Sequence, residues 1–180
     1  MSKQNYMNEG DNRFRGELRA LIPRLRRFGH SLTGSPDDGD DLVQEALEKA
    51  LSREAQFQVG SRLDSWMYKI MQNAWIDQKR SAARRRHIVQ PMSEDVIAVG
   101  EDGREVFDSR INLRQVREAM TRLHPDERAV LALVSIEGQT YREAAETLEI
   151  PIGTVMSRIS RARARLLQLL DGVDPVSWKD

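Results

Sequence analysis

The 180-residue sequence predicts an all-α protein of two small helical domains joined by a flexible linker. Three observations carry that expectation. Apolar residues recur at steps of three and four through most of the chain, and no stretch alternates apolar and polar for long enough to build a sheet. The helical pattern lapses once, between about His87 and Asp108, where Pro91, Gly100 and Gly103 lie among acidic residues with few large apolar ones. The length suffices for one ordinary domain or two small ones with real cores. The expected boundaries are residues 12–86 and 111–171 for the domains, 87–110 for the linker and 172–180 for a tail.

The first helix is expected from Phe14 to Leu32, with Leu18, Leu21, Ile22, Leu25 and Phe28 on one side and a kink at Pro23. Thr33-Gly34-Ser35-Pro36 ends it. Asp37, Asp38, Asp40 and Asp41 crowd the start of a second helix, where carboxylates complement the dipole, and Leu42, Ala46, Leu47, Ala50 and Leu51 follow at helical spacing. Its other face shows Asp41, Gln44, Glu45 and Glu48, which is either solvated or suited to a basic protein partner. A third helix from about Arg62 to Arg84 turns Leu63, Trp66, Met67, Ile70 and Ala74 inward. Three such helices can close a small bundle.

The third helix also has a polar face, Asn73, Asp77, Arg80 and Arg84, and five positive charges in eight residues at its end. Trp66, Tyr68 and Trp75 lie in the same helix and Phe57 precedes it. Together they suggest a basic groove beside stacking rings, a surface that holds unpaired bases; alternatively Trp66 is core and the arginines cap a helix end.

Beyond the linker, Pro125, Gly138 and Pro151 divide Ile111 to Leu170 into four shorter helices. The third of these, Tyr141 to Leu148, opens with a Thr140-x-x-Glu143 capping box and carries Ala144 and Ala145, small enough for close helix crossing. Glu149-Ile150-Pro151 makes a turn into a last helix beginning near Gly153. There Ile152, Val155, Ile159, Ala162, Leu166 and Leu169 form an apolar stripe, and Thr154, Ser157, Arg158, Arg161 and Arg165 face the other way. Gly153 to Leu170 holds four arginines and no acid. Two helices with this turn make the C-terminal domain a helix-turn-helix whose last helix suits a major groove, Thr154, Ser157 and Arg158 reaching base edges and Arg161 and Arg165 meeting phosphates.

Charge bounds the function. The chain has 28 basic and 28 acidic side chains: 16 against 12 in residues 1–90, 2 against 6 in 91–112, and 10 against 10 in 113–180. A free-standing DNA-binding domain is usually strongly basic, so weak DNA binding in isolation is expected. Cysteine is absent, excluding disulfides and thiolate metal sites. No apolar run approaches membrane-spanning length and the first ten residues lack a signal-peptide core, so the expected location is cytoplasmic, without membrane insertion. His30, His87 and His124 have no metal-ligand spacing, and the Asp37–Asp41 cluster is explained by a helix start. No catalytic residue, metal or cofactor is expected.

With both domains in view the sequence resembles the extracytoplasmic-function (ECF) group of bacterial RNA polymerase sigma factors over about residues 14–170. The matching stretches are Asp40 to Leu47, Ser65 to Asp77, Leu123 to Ala132, and Pro151-Ile152-Gly153-Thr154-Val155 continuing through Ser157-Arg158 to Leu166. The resemblance implies an initiation factor that binds core RNA polymerase and promoter DNA. It implies that Asp41, Gln44, Glu45 and Glu48 contact the polymerase's largest subunit, and that Phe57 to Arg62, among them Ser61, read and open the minus-ten element with Asn73, Asp77, Arg80 and Arg84. The rear helix-turn-helix would read the minus-thirty-five element, the linker would thread the RNA-exit path, and an anti-sigma factor is an expected partner. Met156 departs from the Lys or Arg common after the Gly-Thr-Val triplet, which bears on the promoter sequence read. The alternative is a stand-alone helix-turn-helix regulator, which predicts strong duplex binding without polymerase and a dimer. A decoy that titrates an inhibitor would not need the arginines of the last helix.

Overall fold

A computed structural model describes the backbone of residues 3–58, 60–89 and 113–170, with side chains for 13–58, 60–84 and 114–170. The described residues form seven α-helices: α1 (Lys3–Thr33), α2 (Pro36–Ser52), α3 (Leu63–Val89), α4 (Leu113–Thr121), α5 (Pro125–Ser135), α6 (Tyr141–Leu148) and α7 (Ile152–Leu170), with a single 3-10 turn at Glu54–Gln56. No strand occurs among them. Most of the expected linker, and the tail with Trp178, lie outside the described residues.

The helix ends follow local chemistry. The α1 helix continues through Pro23 and stops at Gly34, whose φ of 80° is left-handed and whose N–H bonds the His30 carbonyl at 2.9 Å. Ser35 then caps α2, its hydroxyl accepting from the Asp38 N–H at 3.3 Å, with Pro36 in the first turn. His124 and Pro125 open α5 in the same way, the imidazole accepting from the Asp126 N–H. Thr140 and Glu143 form the predicted capping box on α6, and Glu149 leaves that helix in the left-handed conformation, φ 55°.

In the front half α1, α2 and α3 bury Leu18, Leu25, Phe28, Leu42, Ala46, Ala50, Met67, Ile70 and Ala74. The α1–α2 crossing is so close that a Cβ on Gly29 would stand 2.8 Å from the Gly39 carbonyl oxygen. Leu21 and Ile22 are half-buried, and Leu51, beside the fully buried Ala50, is 45% exposed. In the rear half α4 to α7 bury Leu123, Ala129, Val130, Leu133, Ala144, Leu148, Val155, Ile159 and Ala162.

The two halves pack against each other, α1 on α4 and α5 and α3 on α6, and their buried apolar residues form one continuous cluster. Polar contacts also cross the seam. Glu137, after α5, has a fully buried side chain 3.2 Å from Arg24 Nε and 2.6 Å from the Tyr68 hydroxyl. Lys69 Nζ donates to the Leu148 carbonyl at 2.7 Å and pairs with Glu149 at 3.2 Å. Arg62 Nη1 lies 2.5 Å from Glu143. Arg128, buried in the rear half, donates to the carbonyls of Leu32, Thr121 and Leu123, and so caps the C-terminal ends of α1 and α4. Desolvation of its guanidinium lowers its pKa to about 10.

Candidate nucleic-acid interfaces

The helix-turn-helix is built as its sequence suggests. The capping box fixes the start of α6, Ala144 and Ala145 are buried against neighbouring helices, and α7 begins after the left-handed Glu149 with the Thr154 N–H bonded to the Pro151 carbonyl at 2.9 Å. Val155, Ile159 and Ala162 carry the burial of α7, while Leu166 and Leu169 are half-buried. Ile152 departs from the expected stripe, being 47% exposed.

The opposite face of α7 presents Ser157, Arg161 and Met156 to solvent, with Thr154, Arg158 and Arg165 half-buried. Two of the arginines are already paired: Arg158 Nη2 donates to Asp126 at 2.7 Å, and Arg161 Nε lies 3.5 Å from Glu127. Both carboxylates belong to the first turn of α5, so the acids of that helix start hold the arginines of α7. The Nε of Arg165 is buried without a hydrogen-bond partner among the described residues.

In the front half, Asn73, Asp77, Arg80 and Arg84 form an exposed row along α3. Asn73, Asp77 and Arg80 share a cleft of about 380 Å³ with Lys49 and Arg53 from the end of α2. Lys49 and Arg53 were not singled out in the sequence; their sign is visible there, but their approach to α3 depends on the α2–α3 packing. The side chains of Arg85 and Arg86 lie outside the described residues.

The expected stacking rings are corrected in part. Tyr68 is fully buried and Trp75 is 5% exposed, so neither offers a face to a base. Burial and the Glu137 carboxylate raise the Tyr68 pKa. Phe57 and Trp66 are half-buried and pack together with ring centroids 5.3 Å apart, Phe14 completing the cluster at 5.5 Å from Phe57. Ser61 is exposed, and exposed Arg62 bonds Asp64 and Glu143, which raise its pKa. Burial alone would raise the pKa of Asp64, but hydrogen bonds from Arg62 and the Ser65 N–H, with the fields of Arg62 and Arg24, leave it lowered.

On α2, Asp41, Gln44 and Glu48 are exposed on one face, Gln44 donating to Glu48 at 3.2 Å. Glu45 is set apart from them: half-buried, it takes Lys49 at 2.5 Å and Gln78 of α3 at 2.7 Å, and the Lys49 hydrogen bond leads in lowering its pKa. Its role within the molecule is to tie α2 to α3. Among the described residues no cluster of three or more His, Asp or Glu could hold a metal, and no helix is long and apolar enough to cross a membrane.

Residues 18–72 match the family model for the Sigma2 domain of PhyR, and residues 113–166 match that for Sigma-70, region 4. The ECF RNA polymerase sigma factor EcfG of Rhodopseudomonas palustris (strain TIE-1) is 35% identical over 162 residues, 89% of this chain and 87% of that protein. The ECF RNA polymerase sigma factor SigM of Mycobacterium tuberculosis is 33% identical over 147 residues, covering 82% of this chain and 71% of the relative. Among solved structures, the sigma factor RpoE of Bartonella quintana in complex with the anti-sigma factor NepR is similar at a TM-score of 0.70 and 33% identity, over 90% of this chain and 98% of that one. The anti-anti-sigma factor PhyR of the same organism shares the fold at 19% identity and a TM-score of 0.55, and the match covers only 47% of its length. The two helical halves, in this order and at this identity over nearly the whole chain, place the protein in the ECF family of RNA polymerase sigma factors.

Proposed function

We propose that this sigma factor grips promoter DNA at two surfaces, the α2–α3 cleft for the minus-ten element and the outer face of α7 for the minus-thirty-five element, while the acidic face of α2 holds core polymerase. The observation that carries this reading is the cleft, where Asn73, Asp77 and Arg80 are brought together with two further cations. Asp41, Gln44 and Glu48 are the polymerase contacts, with Glu45 supporting them from behind. Phe57, Ser61 and Arg62, in the loop before α3, complete the minus-ten contacts in this reading. The chemistry of transcription belongs to the polymerase; strand opening here is driven by binding energy, and the chain works in the cytoplasm beside both partners.

Control by an anti-sigma factor is part of the same reading, on the strength of the relative solved with NepR. A groove between the halves supports it: Val116, Met120, Leu131, Ile136 and Leu166 line it, with Arg27, Arg117 and Arg163 at its edge. That chemistry suits an amphipathic helix with acidic flanks.

The test is run-off transcription with purified chain and core polymerase. Promoter-dependent product is expected, and Arg158→Ala should lower it about fivefold or more, as fits loss of about 1 to 3 kcal/mol of base discrimination. The effect should shrink on a template whose upstream element is scrambled. Equal loss on both templates would remove Arg158 from sequence reading, and no product with the unaltered chain would sink the function itself.

A further inference from the structure

We propose that Met156 reads a thymine of the minus-thirty-five element through the C5 methyl group that this base displays in the major groove. The proposal rests on the reading of α7 given above and adds the chemistry of one contact to it. Met156 lies one turn into α7 and is 54% exposed. The residues of a recognition helix that reach base edges are those of its N-terminal turns.

The polar side chains next to Met156 are already engaged. Ser157 Oγ donates to the Thr154 carbonyl at 3.0 Å, and Arg158 Nη2 donates to Asp126 at 2.7 Å. Met156 itself has no donor and only a weak acceptor, so what it can do at a base edge is cover apolar surface. Its neighbours on the outward face are small: Gly153, Ser157, Ser160 and Ala164 are all exposed. A Cβ on Gly153 would meet nothing within 4 Å outside its own helix, and Gly153 is not among the positive-φ residues. The fold therefore does not require a glycine there, although glycine weakens a helix relative to alanine. Bare backbone at that point suits the close approach of a second molecule. The four arginines and absent acids from Gly153 to Leu170 make that molecule a polyanion rather than an apolar protein surface. Thymine alone adds a methyl group to the major-groove pattern, and apolar contact with it tells T·A from the other pairs. The unbranched, polarizable thioether chain adapts readily to such a contact.

The experiment uses holoenzyme assembled from the full chain and core polymerase, which first selects promoters from templates randomised over the upstream element. Each thymine of the selected element, on either strand, is then replaced singly by deoxyuridine, which pairs alike and lacks only the methyl group. At one thymine the swap should lower run-off product at subsaturating holoenzyme about threefold, the order expected for one methyl group no longer buried. Met156→Ala should lose at least as much on the thymine template and show no response to the swap, whereas Met156→Leu should still respond. The absence of any swap-sensitive thymine would overturn the proposal. So would a sensitivity that persists in Met156→Ala, since it would lie in the shape of the DNA. Equal loss by Met156→Ala on both templates would overturn it too, by making Met156 a protein contact. If the unaltered holoenzyme selects no upstream sequence at all, the reading of α7 fails and takes the proposal with it; if it selects one, only the role of Met156 is at stake.

Discussion

Asp40 shows how a residue's role escapes its immediate sequence. Within the Asp37–Asp41 run it reads as one more carboxylate at a helix start, yet its oxygens reach back across the α1–α2 crossing to Arg26 and to His30 Nε2, the latter at 2.8 Å. The Arg26 hydrogen bond first, then that of His30, holds its pKa down at about 2. An unperturbed aspartate titrates near 3.9, so folding favours the ionised form. The stabilisation is thus fully present above about pH 4 and is lost as pH falls toward 2. Unfolding midpoints of the unaltered chain and of Asp40→Asn, followed from pH 6 to 2, should differ at the upper end and converge at the lower. Parallel curves would show that the ion pair contributes nothing. Glu45 and Arg128 teach the same lesson: each was visible as a charge, but the partners that fix its role lie 33 and 96 residues away.

Elements were more legible than single residues because their signals are local. The capping box, the Ala144-Ala145 pair and the turn through Pro151 lie within about a dozen residues, and α6–turn–α7 folds as they suggest. Helix faces were less so where tertiary packing decides. Tyr68 and Trp75 are aromatic positions on a helix with one polar face, but α1 and the rear half cover Tyr68 from sides that α3's own periodicity does not show. The inter-half groove is likewise a property of α1, α4, α5 and α7 together. Ile136, 40% exposed, lies on its wall just past α5. Ile136→Glu should weaken capture of an anti-sigma factor of the NepR type at least tenfold, through an acid set against acidic flanks, and leave run-off transcription unchanged. Unaltered capture in a titration would place the inhibitor elsewhere.

At the scale of the molecule, the sequence showed two helical halves and a balanced charge, but not that the halves pack, since the contacts joining Arg24, Tyr68 and Lys69 to Glu137, Leu148 and Glu149 have no periodic signature. Internal ion pairs give the neutral charge a mechanism. Three of the arginines that would meet DNA are answered from within, Arg158 by Asp126 and Arg161 by Glu127 inside the rear half and Arg62 by Glu143 across the seam. At these three positions a duplex must displace the acids before it gains from counterion release, the main source of sequence-independent affinity. The isolated chain should therefore bind promoter duplex weakly and with little preference at about 0.15 M salt, where screening further reduces exposed attraction. Joined to core polymerase it should bind the same duplex at least a hundredfold more tightly than a scrambled one. Electrophoretic mobility shifts at matched salt measure both. Tight, sequence-selective binding by the isolated chain, especially as a dimer, would instead mark a protein that reads DNA alone, and would mean that the internal acids yield to DNA without help from the polymerase.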